Sequence, residues 1–126
     1  MNNPLNYISV SEAISHIKSG DHLFIQGSAQ TPNFMIDELA RQAERLQDIE
    51  VYSITLQGDV KIAKEAYRDH FHINSMFVSD PVRQAVNGGW GDFVPVFLSD
   101  IPNLFRSGLF PIDVAVIQVS PPDKHG

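Results

Sequence analysis

The amino-acid sequence predicts an α/β fold built on an open, mostly parallel sheet with helices on both faces. Helix-like and strand-like patterns alternate along its 126 residues, and parallel strands need such crossover connections. The run over residues 112–119 is almost continuously apolar, which is typical of a strand covered on both faces. Small and polar residues follow each predicted strand. We therefore expect one α/β domain over residues 1–126.

Five segments carry the spacing and end signals of helices. Ser9 and Glu12 have the spacing of a capping box, and Gly20 is a typical residue to end a helix. Asp80 followed by Pro81 is typical of a helix start. The predicted helices cover residues 9–20, 32–46, 61–67, 80–86 and 100–106.

Five further segments are predicted as strands, and Pro95 inside one of them indicates a sheet edge or a short element. The strands cover residues 22–26, 49–56, 70–78, 93–98 and 112–119. In an open α/β sheet, ligands bind outside the carboxyl ends of the strands, so we expect a site at that edge. Those ends carry Gln26-Gly27-Ser28, Leu56-Gln57-Gly58, Val78-Ser79-Asp80, Leu98-Ser99-Asp100 and Val119-Ser120-Pro121.

Composition argues against several classes of function. The chain has 9 Lys and Arg against 15 Asp and Glu, a formal net charge of -6, and no basic cluster, which disfavours nucleic acid or an anionic membrane as partner. Without cysteine there is neither a disulfide framework nor a thiolate nucleophile. The start has no signal-peptide pattern, and no apolar run approaches the ~20 residues that span a bilayer. We expect a cytoplasmic protein.

The segment from Gly27 to Thr31 is the most suggestive loop chemically. Gly27 permits a turn, and a helix directly after it would leave its first N–H groups unpaired. Such groups favour a carboxylate, a phosphate or a developing oxyanion, and Ser28, Gln30 and Thr31 add side-chain donors. The same residues could serve only to turn the chain and cap the helix. The segment is neither a Walker loop nor a dinucleotide-binding fingerprint.

Other candidate residues carry weaker signals. His70 and His72 alternate on a predicted strand and could be two metal ligands, although a solvated strand face is the simpler interpretation. The histidines show no helical metal-binding spacing, so we predict no metal site. Asp123 and His125 could act in acid–base or orienting roles, or could be exposed to solvent. No residue stands in the setting of an activated nucleophile.

The sequence stops on a polar turn that follows directly from its last apolar run. A domain seldom ends on the loop that its last strand presents. We therefore expect the chain to be cut within a longer protein and to carry half of a site.

Three segments, in order along the chain, carry a family resemblance. They are Gly27-Ser28-Ala29-Gln30-Thr31-Pro32, Asn87-Gly88-Gly89-Trp90-Gly91-Asp92-Phe93-Val94-Pro95-Val96 and Val119-Ser120-Pro121-Pro122-Asp123-Lys124-His125-Gly126. They closely resemble the N-terminal domain of the acetyl-CoA hydrolase/transferase family, which includes 4-hydroxybutyrate, acetate and butyrate CoA-transferases. The resemblance covers nearly the whole chain. It implies a two-domain enzyme, with residues 1–126 as the N-terminal domain and the C-terminal catalytic domain absent.

The resemblance implies CoA transfer between carboxylic acids by covalent catalysis. A glutamate attacks the acyl-CoA to give an acyl–glutamyl anhydride, CoA returns to form a glutamyl-CoA thioester, and an acceptor carboxylate takes the CoA. In the family, this glutamate and most CoA contacts belong to the C-terminal domain. No glutamate of this chain lies in the matching motif, so we expect no catalytic residue here and no activity of the chain alone. The glutamates are Glu12, Glu38, Glu44, Glu50 and Glu65.

By the same resemblance, this domain should supply a wall of the acyl or carboxylate pocket. The candidate substrate-binding residues are Gly27, Ser28, Gln30, Thr31, Gly88, Gly89, Ser120, Pro121, Pro122, Asp123 and His125. Trp90 could pack on a ligand or fill the surface between the two domains, and the second role is the one we expect. Which residue contacts which substrate atom does not follow from motif similarity.

The expected partners are a small carboxylate, acyl-CoA, the protein's own C-terminal domain and further copies of the protein in a homo-oligomer. Coenzyme A would be a substrate, and we expect no tightly bound cofactor. An alternative function is that of a stand-alone α/β domain that binds a small carboxylate or acyl ligand without catalysis, since no nucleophile is visible. A domain similar to a sugar-phosphate isomerase has only fold analogy in its favour.

Overall fold

The computed structural model describes residues 6–124. Within this range five strands form one sheet, in the order β4-β3-β2-β1-β5, and α-helices flank it. The strands are β1 (His22–Ile25), β2 (Ile49–Ser53), β3 (Phe71–Ser75), β4 (Gly91–Phe93) and β5 (Val114–Val116). The α-helices are α1 (Val10–Ser15), α2 (Asn33–Arg41), α3 (Asp80–Gly88) and α4 (Ile101–Arg106).

All neighbouring strands pair in parallel. Val51 of β2 lies opposite Leu23 of β1 and Ile73 of β3, and the same row continues to Gly91 of β4 and Val114 of β5. The carboxyl ends of all five strands therefore meet at one edge of the sheet, which we call the carboxyl edge. The predicted α/β class and parallel sheet are confirmed.

Helices cover both faces of the sheet, as predicted. On one face, Leu23 and Val51 are fully buried beneath α1, α2 and α3. On the other face, the Phe105 ring of α4 packs edge-on against Phe24 and Tyr52, with ring centroids 5.7 and 6.2 Å apart. Each fully buried aliphatic or aromatic side chain contributes about 1.5–3 kcal/mol. The helices supply Ile14, Ile36, Leu39, Val82 and Ala85 to the buried core.

The path of the chain creates a switch point between β1 and β5. From β1 the chain proceeds through β2 and β3 to β4, and then returns through α4 to β5, on the far side of β1. The connection after β1 packs on one face, whereas α4 packs on the other. Where successive connections leave on opposite faces, a crevice opens at the carboxyl ends of the strands, and ligands of open α/β sheets bind there.

All five strands end earlier than predicted, and β2, β3 and β4 show where the backbone bonds instead. Their predicted ends were residues 56, 78 and 98, and the observed ends are Ser53, Ser75 and Phe93. Beyond these ends the backbone bonds to neighbouring loops: Ser28 N–H donates to the Thr55 carbonyl at 2.7 Å, and Phe77 N–H donates to the Ile54 carbonyl at 2.8 Å. Beyond the strand ends, Leu56 and Met76 are buried in the packed loops, whereas Phe77 and Leu98 are apolar but exposed. β4 is an edge strand and is short, as Pro95 indicates, but Pro95 itself lies after β4 and not inside it.

The first helix begins where the sequence predicts and ends early. The Ser9 hydroxyl accepts the N–H of Glu12 at 3.1 Å, which confirms the predicted cap. The prediction that Gly20 ends this helix is wrong, because α1 stops at Ser15. Gly20 occupies a later turn at φ +84° and donates its N–H to the Gln47 carbonyl, and such a left-handed conformation favours glycine.

The helix predicted over residues 61–67 is replaced by two short 3-10 turns. These are Lys61–Ala63 and Glu65–Tyr67, and Lys64 between them is extended, with φ -76° and ψ 152°. The predicted second helix is likewise divided, into α2 and a 3-10 turn at Ala43–Arg45. The first of these turns buries Ile62 and Ala63. Apolar residues at helix-like spacing can therefore also be buried by a 3-10 turn.

The prediction that the last strand is covered on both faces is wrong for the described structure. Only Val114–Val116 forms the strand, at the edge of the sheet beyond β1. Ala115 is exposed, and Ile117 and Val119 are 56% and 72% exposed. An apolar run shows that a segment can be buried, but burial also requires a neighbouring element that covers it. Residues 6–124 supply no such element on the side of β5 that faces away from β1.

Replacement of Gly27 by alanine tests the close approach of two loops. Gly27 is extended, with φ -114°, and a Cβ there would collide with the Thr55 carbonyl. Gly27→Ala should therefore lower the free energy of unfolding by about 3 kcal/mol, as overpacking does. Gly108→Ala is the control, because position 108 has φ +75° and open space, so only backbone strain of about 1 kcal/mol applies. Equal losses in urea unfolding would contradict the collision.

Acid should weaken the attachment of β5 to β1. Asp113 Oδ2 accepts the His22 backbone N–H at 2.8 Å and lies 3.0 Å from His22 Nδ1. These contacts, the backbone hydrogen bond first, hold the pKa of the Asp113 carboxyl below its ordinary value of 3.8. A lowered folded-state pKa stabilises the fold fully above the ordinary value, and this stabilisation is lost as pH falls through the folded-state pKa.

Urea unfolding of the wild type and of Asp113→Asn between pH 6 and pH 2.5 measures this effect. The wild type should be the more stable at pH 6, and the difference should shrink below pH 4. Asp69→Asn is the control, since the Asp69 side chain is 88% exposed and lies 3.9 Å from its ion-pair partner Arg68. A difference between wild type and Asp113→Asn that stays constant across this pH range would overturn the explanation.

Candidate functional site at the carboxyl edge

Gln26 joins the two strands of the switch point. Its backbone N–H donates to the Val116 carbonyl at 3.0 Å. Its side-chain carbonyl accepts the N–H of Gln118 at 2.7 Å, and its side-chain amide donates to the Gln30 side chain at 2.6 Å. One half-buried glutamine thus fixes the segment after β5 against the turn after β1. Sequence reasoning placed Gln26 at a strand end and did not select it.

The turn Ser28–Gln30 is held by backbone and hydroxyl groups. Ser28 lies at φ +56°, a conformation that is uncommon outside glycine. The Thr31 hydroxyl donates to the Ser28 carbonyl at 2.7 Å and accepts the Gln57 N–H at 3.2 Å. Thr31 is 7% exposed, so its hydroxyl links the loops after β1 and β2. Its assignment as a substrate-binding residue stays a prediction, whereas the Ser28 side chain is exposed at the edge.

The structure does not place a helix N-terminus directly after Gly27, where the anion site was expected. A 3-10 turn separates β1 from α2, and the N-cap of α2 is Pro32. At the start of α2, the N–H of Asn33 donates to the Thr31 carbonyl at 2.8 Å, and the N–H of Met35 donates to the Pro32 carbonyl at 3.0 Å. Gly27 serves close packing on Thr55 rather than a left-handed turn. The loop is at the predicted place, but the helix does not begin directly after Gly27.

The last predicted loop continues from β5 at the same edge. Ser120, Pro121, Pro122 and Asp123 follow Gln118 and are exposed. Because Gln118 is bonded to Gln26, these residues leave the sheet beside the loop after β1. His125 lies outside the described residues.

Gly88 and Gly89 are not brought to this edge. They end α3 and precede β4, so they lie towards the amino ends of the strands. Gly89 is the left-handed cap at φ 88°, and a Cβ at Gly88 would overlap the Trp90 ring. The Trp90 indole N–H donates to the Ala63 carbonyl at 3.0 Å, and the ring packs against the core. These glycines therefore shape the turn around Trp90, and Trp90 packs within its own domain.

A groove of about 520 Å³ opens at the carboxyl edge, and we call it the carboxyl-edge groove. Ser28 lines it after β1, Ile54 and Thr55 after β2, and Met76 and Phe77 after β3. The connection from β4 to α4 completes it with Val96, Phe97 and Leu98, and α4 adds Ile101. No charged side chain of residues 6–124 is among its lining groups. The sequence analysis selected polar donors and missed these apolar residues, because Phe77 and Leu98 lie inside the predicted strands 70–78 and 93–98 and their exposure is visible only in the structure.

The histidine pair does not form a metal centre. His70 Nδ1 lies 2.7 Å from the Leu46 carbonyl, and His72 Nε2 lies 2.8 Å from Asp92 Oδ2. The two imidazoles therefore have different partners. In the part of the chain that the structure describes, no group of three or more metal-ligating side chains comes together. No helix within residues 6–124 has the length and apolar character needed to cross a membrane.

The two threonines of the chain offer a matched test of the loop contact. Thr31→Val removes the hydroxyl between Ser28 and Gln57 and should cost about 1 kcal/mol of unfolding free energy, the net value of such hydrogen bonds. Thr55→Val is the control, because within residues 6–124 the Thr55 hydroxyl makes no hydrogen bond, and it should change stability little. Equal urea midpoints of the two variants would show that the Thr31 hydroxyl does not hold the loops.

The chain is similar in sequence to known CoA-transferases. The chain is 38% identical over 117 residues to a succinyl-CoA:acetate/propanoyl-CoA:succinate CoA transferase of Fasciola hepatica, covering 91% of this chain and 24% of that protein. It is 31% identical over 119 residues to a 4-hydroxybutyrate coenzyme A transferase of Clostridium kluyveri, covering 94% of this chain and 28% of the relative. The chain thus spans about a quarter of the length of these relatives.

Solved structures share the fold. RipA from Yersinia pestis superposes with a TM-score of 0.82 at 27% identity, over 94% of this chain and 30% of that one. A 4-hydroxybutyrate CoA-transferase from Porphyromonas gingivalis superposes with a TM-score of 0.73 at 28% identity, over 94% of this chain and 26% of that one. Residues 4–126 match the family described as acetyl-CoA hydrolase/transferase N-terminal domain. The motifs, the parallel sheet and this match agree, and the chain belongs to the acetyl-CoA hydrolase/transferase family through its N-terminal domain.

Proposed function

We propose that this chain is the N-terminal part of an enzyme that transfers CoA between an acyl-CoA and a short-chain carboxylate through a glutamyl-CoA thioester. The family match over residues 4–126 carries the proposal. The relatives named above are CoA-transferases, and the chain covers about a quarter of their length. Its switch point at β1 and β5 lies at the carboxyl ends of the strands, where ligands of such sheets bind.

The reactive glutamate comes from another part of the protein. Glu38 accepts hydrogen bonds from Gln42 and Arg41, which hold the pKa of its carboxyl below the ordinary value of 4.5. Glu50 accepts the Asn74 amide at 2.6 Å, on a strand rather than at the carboxyl edge. Glu65 lies 3.6 Å from Arg68. The remaining glutamates, Glu12 and Glu44, are exposed on helical segments, so none of the five lines the carboxyl-edge groove.

The domain contributes a wall to the site rather than a reacting group. In the proposed cycle, the glutamate carboxylate attacks the thioester carbonyl, CoA leaves, and an anhydride forms. The returning CoA thiolate attacks the glutamyl carbonyl, the substrate carboxylate leaves, and a second carboxylate then enters. Each attack builds an oxyanion that needs hydrogen-bond donors. The Ser28 hydroxyl and the side-chain amide of Gln30 lie on the turn beside the switch point and are two such donors.

The partners follow from the same proposal. Acyl-CoA and a small carboxylate are substrates, coenzyme A is released and rebound, and no tightly bound cofactor is required by this chemistry. A C-terminal domain of the same protein would face the carboxyl edge and carry the glutamate. We also propose that the whole protein is cytoplasmic and forms a homo-oligomer.

The test compares two polypeptides in one assay. Residues 1–126 and the full-length product of the reading frame that contains them are each incubated with acetyl-CoA or butyryl-CoA and acetate. We expect exchange of CoA with the full-length protein and none with residues 1–126, because the glutamate is outside them. Borohydride reduction during turnover should trap the glutamyl thioester in the full-length protein alone.

The outcomes separate the alternatives. Turnover by residues 1–126 would show that the nucleophile lies within them and that its proposed position is wrong. Binding of a carboxylate by a full-length protein that transfers no CoA with any donor would favour the non-catalytic binding domain. Circular dichroism of residues 1–126 provides the control, since a folded chain without activity is what the proposal requires.

A further inference from the structure

We propose that the carboxyl-edge groove binds the alkyl chain of the acyl substrate, and that Phe77 and Leu98 set the chain length that is accepted. This inference rests on the proposed function and assigns a substrate class to the same site. Its basis is the order of polar and apolar groups along the groove.

The groove crosses the sheet from β1 towards β4. Its lining residues follow β1, β2, β3 and β4 in turn, and these strands are neighbours in that order. With neighbouring strands about 4.8 Å apart, three steps correspond to about 14 Å. The groove therefore begins beside the switch point and ends at the connection between β4 and α4.

The polar lining groups lie together at the β1 end. Ser28 and Thr55 are its polar residues, and the Ser28 N–H donates to the Thr55 carbonyl at 2.7 Å. Ser28 is also the residue held at φ +56°, and strained residues of this kind cluster at ligand sites. A thioester or carboxylate head placed there would meet the Ser28 hydroxyl, which has no partner within residues 6–124.

The lining towards β4 is apolar. Met76 is 6% exposed, whereas Phe77 and Leu98 are 64% and 72% exposed. Large apolar side chains that remain exposed beside a groove mark a binding surface. An alkyl chain that extends from the polar end would pass over Met76 and reach Phe77 and Leu98. The groove volume of about 520 Å³ is within the usual range of ligand pockets, so an alkyl chain fits it.

The same lining disfavours a charged tail. No Lys, Arg or His of residues 6–124 lines the groove, and a second carboxylate would lose hydration without gaining a counter-charge. The groove therefore selects acyl chains that end in methyl groups over those that end in a carboxylate.

The test compares the same substitution, leucine to alanine, at two positions of the full-length protein. Leu98 lines the groove, whereas Leu109 is similarly exposed, at 68%, and does not. Leu98→Ala should lower kcat/KM for hexanoyl-CoA by about tenfold, the scale of lost apolar contacts to a substrate chain, and leave acetyl-CoA within about twofold. Leu109→Ala should leave both values unchanged. Equal losses for both donors with Leu98→Ala would overturn the proposal.

A binding measurement is independent of turnover. The methyl NMR signal of Met76, assigned with Met76→Leu, should shift on addition of hexanoate and stay in place with acetate or succinate. If the signal shifts in a protein that transfers no CoA, the groove assignment stands and the proposed function fails. If transfer occurs while hexanoate leaves the signal in place, the groove is covered by another part of the protein and this inference fails. An equal response to succinate and hexanoate would also overturn it.

Discussion

The contact between the loops after β1 and β2 is the constraint on which the carboxyl edge depends. Ser28 donates its N–H to the Thr55 carbonyl at 2.7 Å, and this approach is possible only because residue 27 has no side chain. The contact ends the β2 ladder, directs the chain into the turn at Ser28–Gln30, and brings Ser28 and Thr55 together at one end of the groove. The close packing of the two loops, the left-handed conformation of Ser28 and the position of Ser28 beside Thr55 thus all depend on this contact.

Gln26 gives the switch point its second connection. A crevice between β1 and β5 would tend to open, because the two flanking connections pack on opposite faces of the sheet. The Gln26 side chain accepts from Gln118 and donates to Gln30, and the Asp113 carboxylate accepts from His22 at the other end of the same strand pair. The edge strand is therefore held at both ends by side chains, which suits a strand of only three residues.

The sequence predicts those features that depend on local pattern. Alternating helix and strand signals sufficed for the parallel sheet, and Pro95 for the edge position of β4. Of the predicted site residues, Ser28 lies at the carboxyl edge, whereas Gly88 and Gly89 lie towards the opposite edge. A glycine pair looks the same in sequence whether it admits a ligand or, as here, makes room for Trp90. The groove was missed because its apolar residues come from three separate segments, after β2, β3 and β4, and have no motif in common.

A wall without a nucleophile is physically suited to the proposed reaction. An acyl–glutamyl anhydride is hydrolysed readily, so its lifetime depends on how well the site excludes water. Apolar side chains such as Phe77 and Leu98 exclude water and offer no base that could activate it. The carboxylates of Glu38 and Asp59 accept hydrogen bonds from Arg41 and Lys64 outside the groove. In the proposed enzyme, the reactive carboxylate would therefore lie on one side of the substrate, and this domain would present a dry, unreactive surface on the other side.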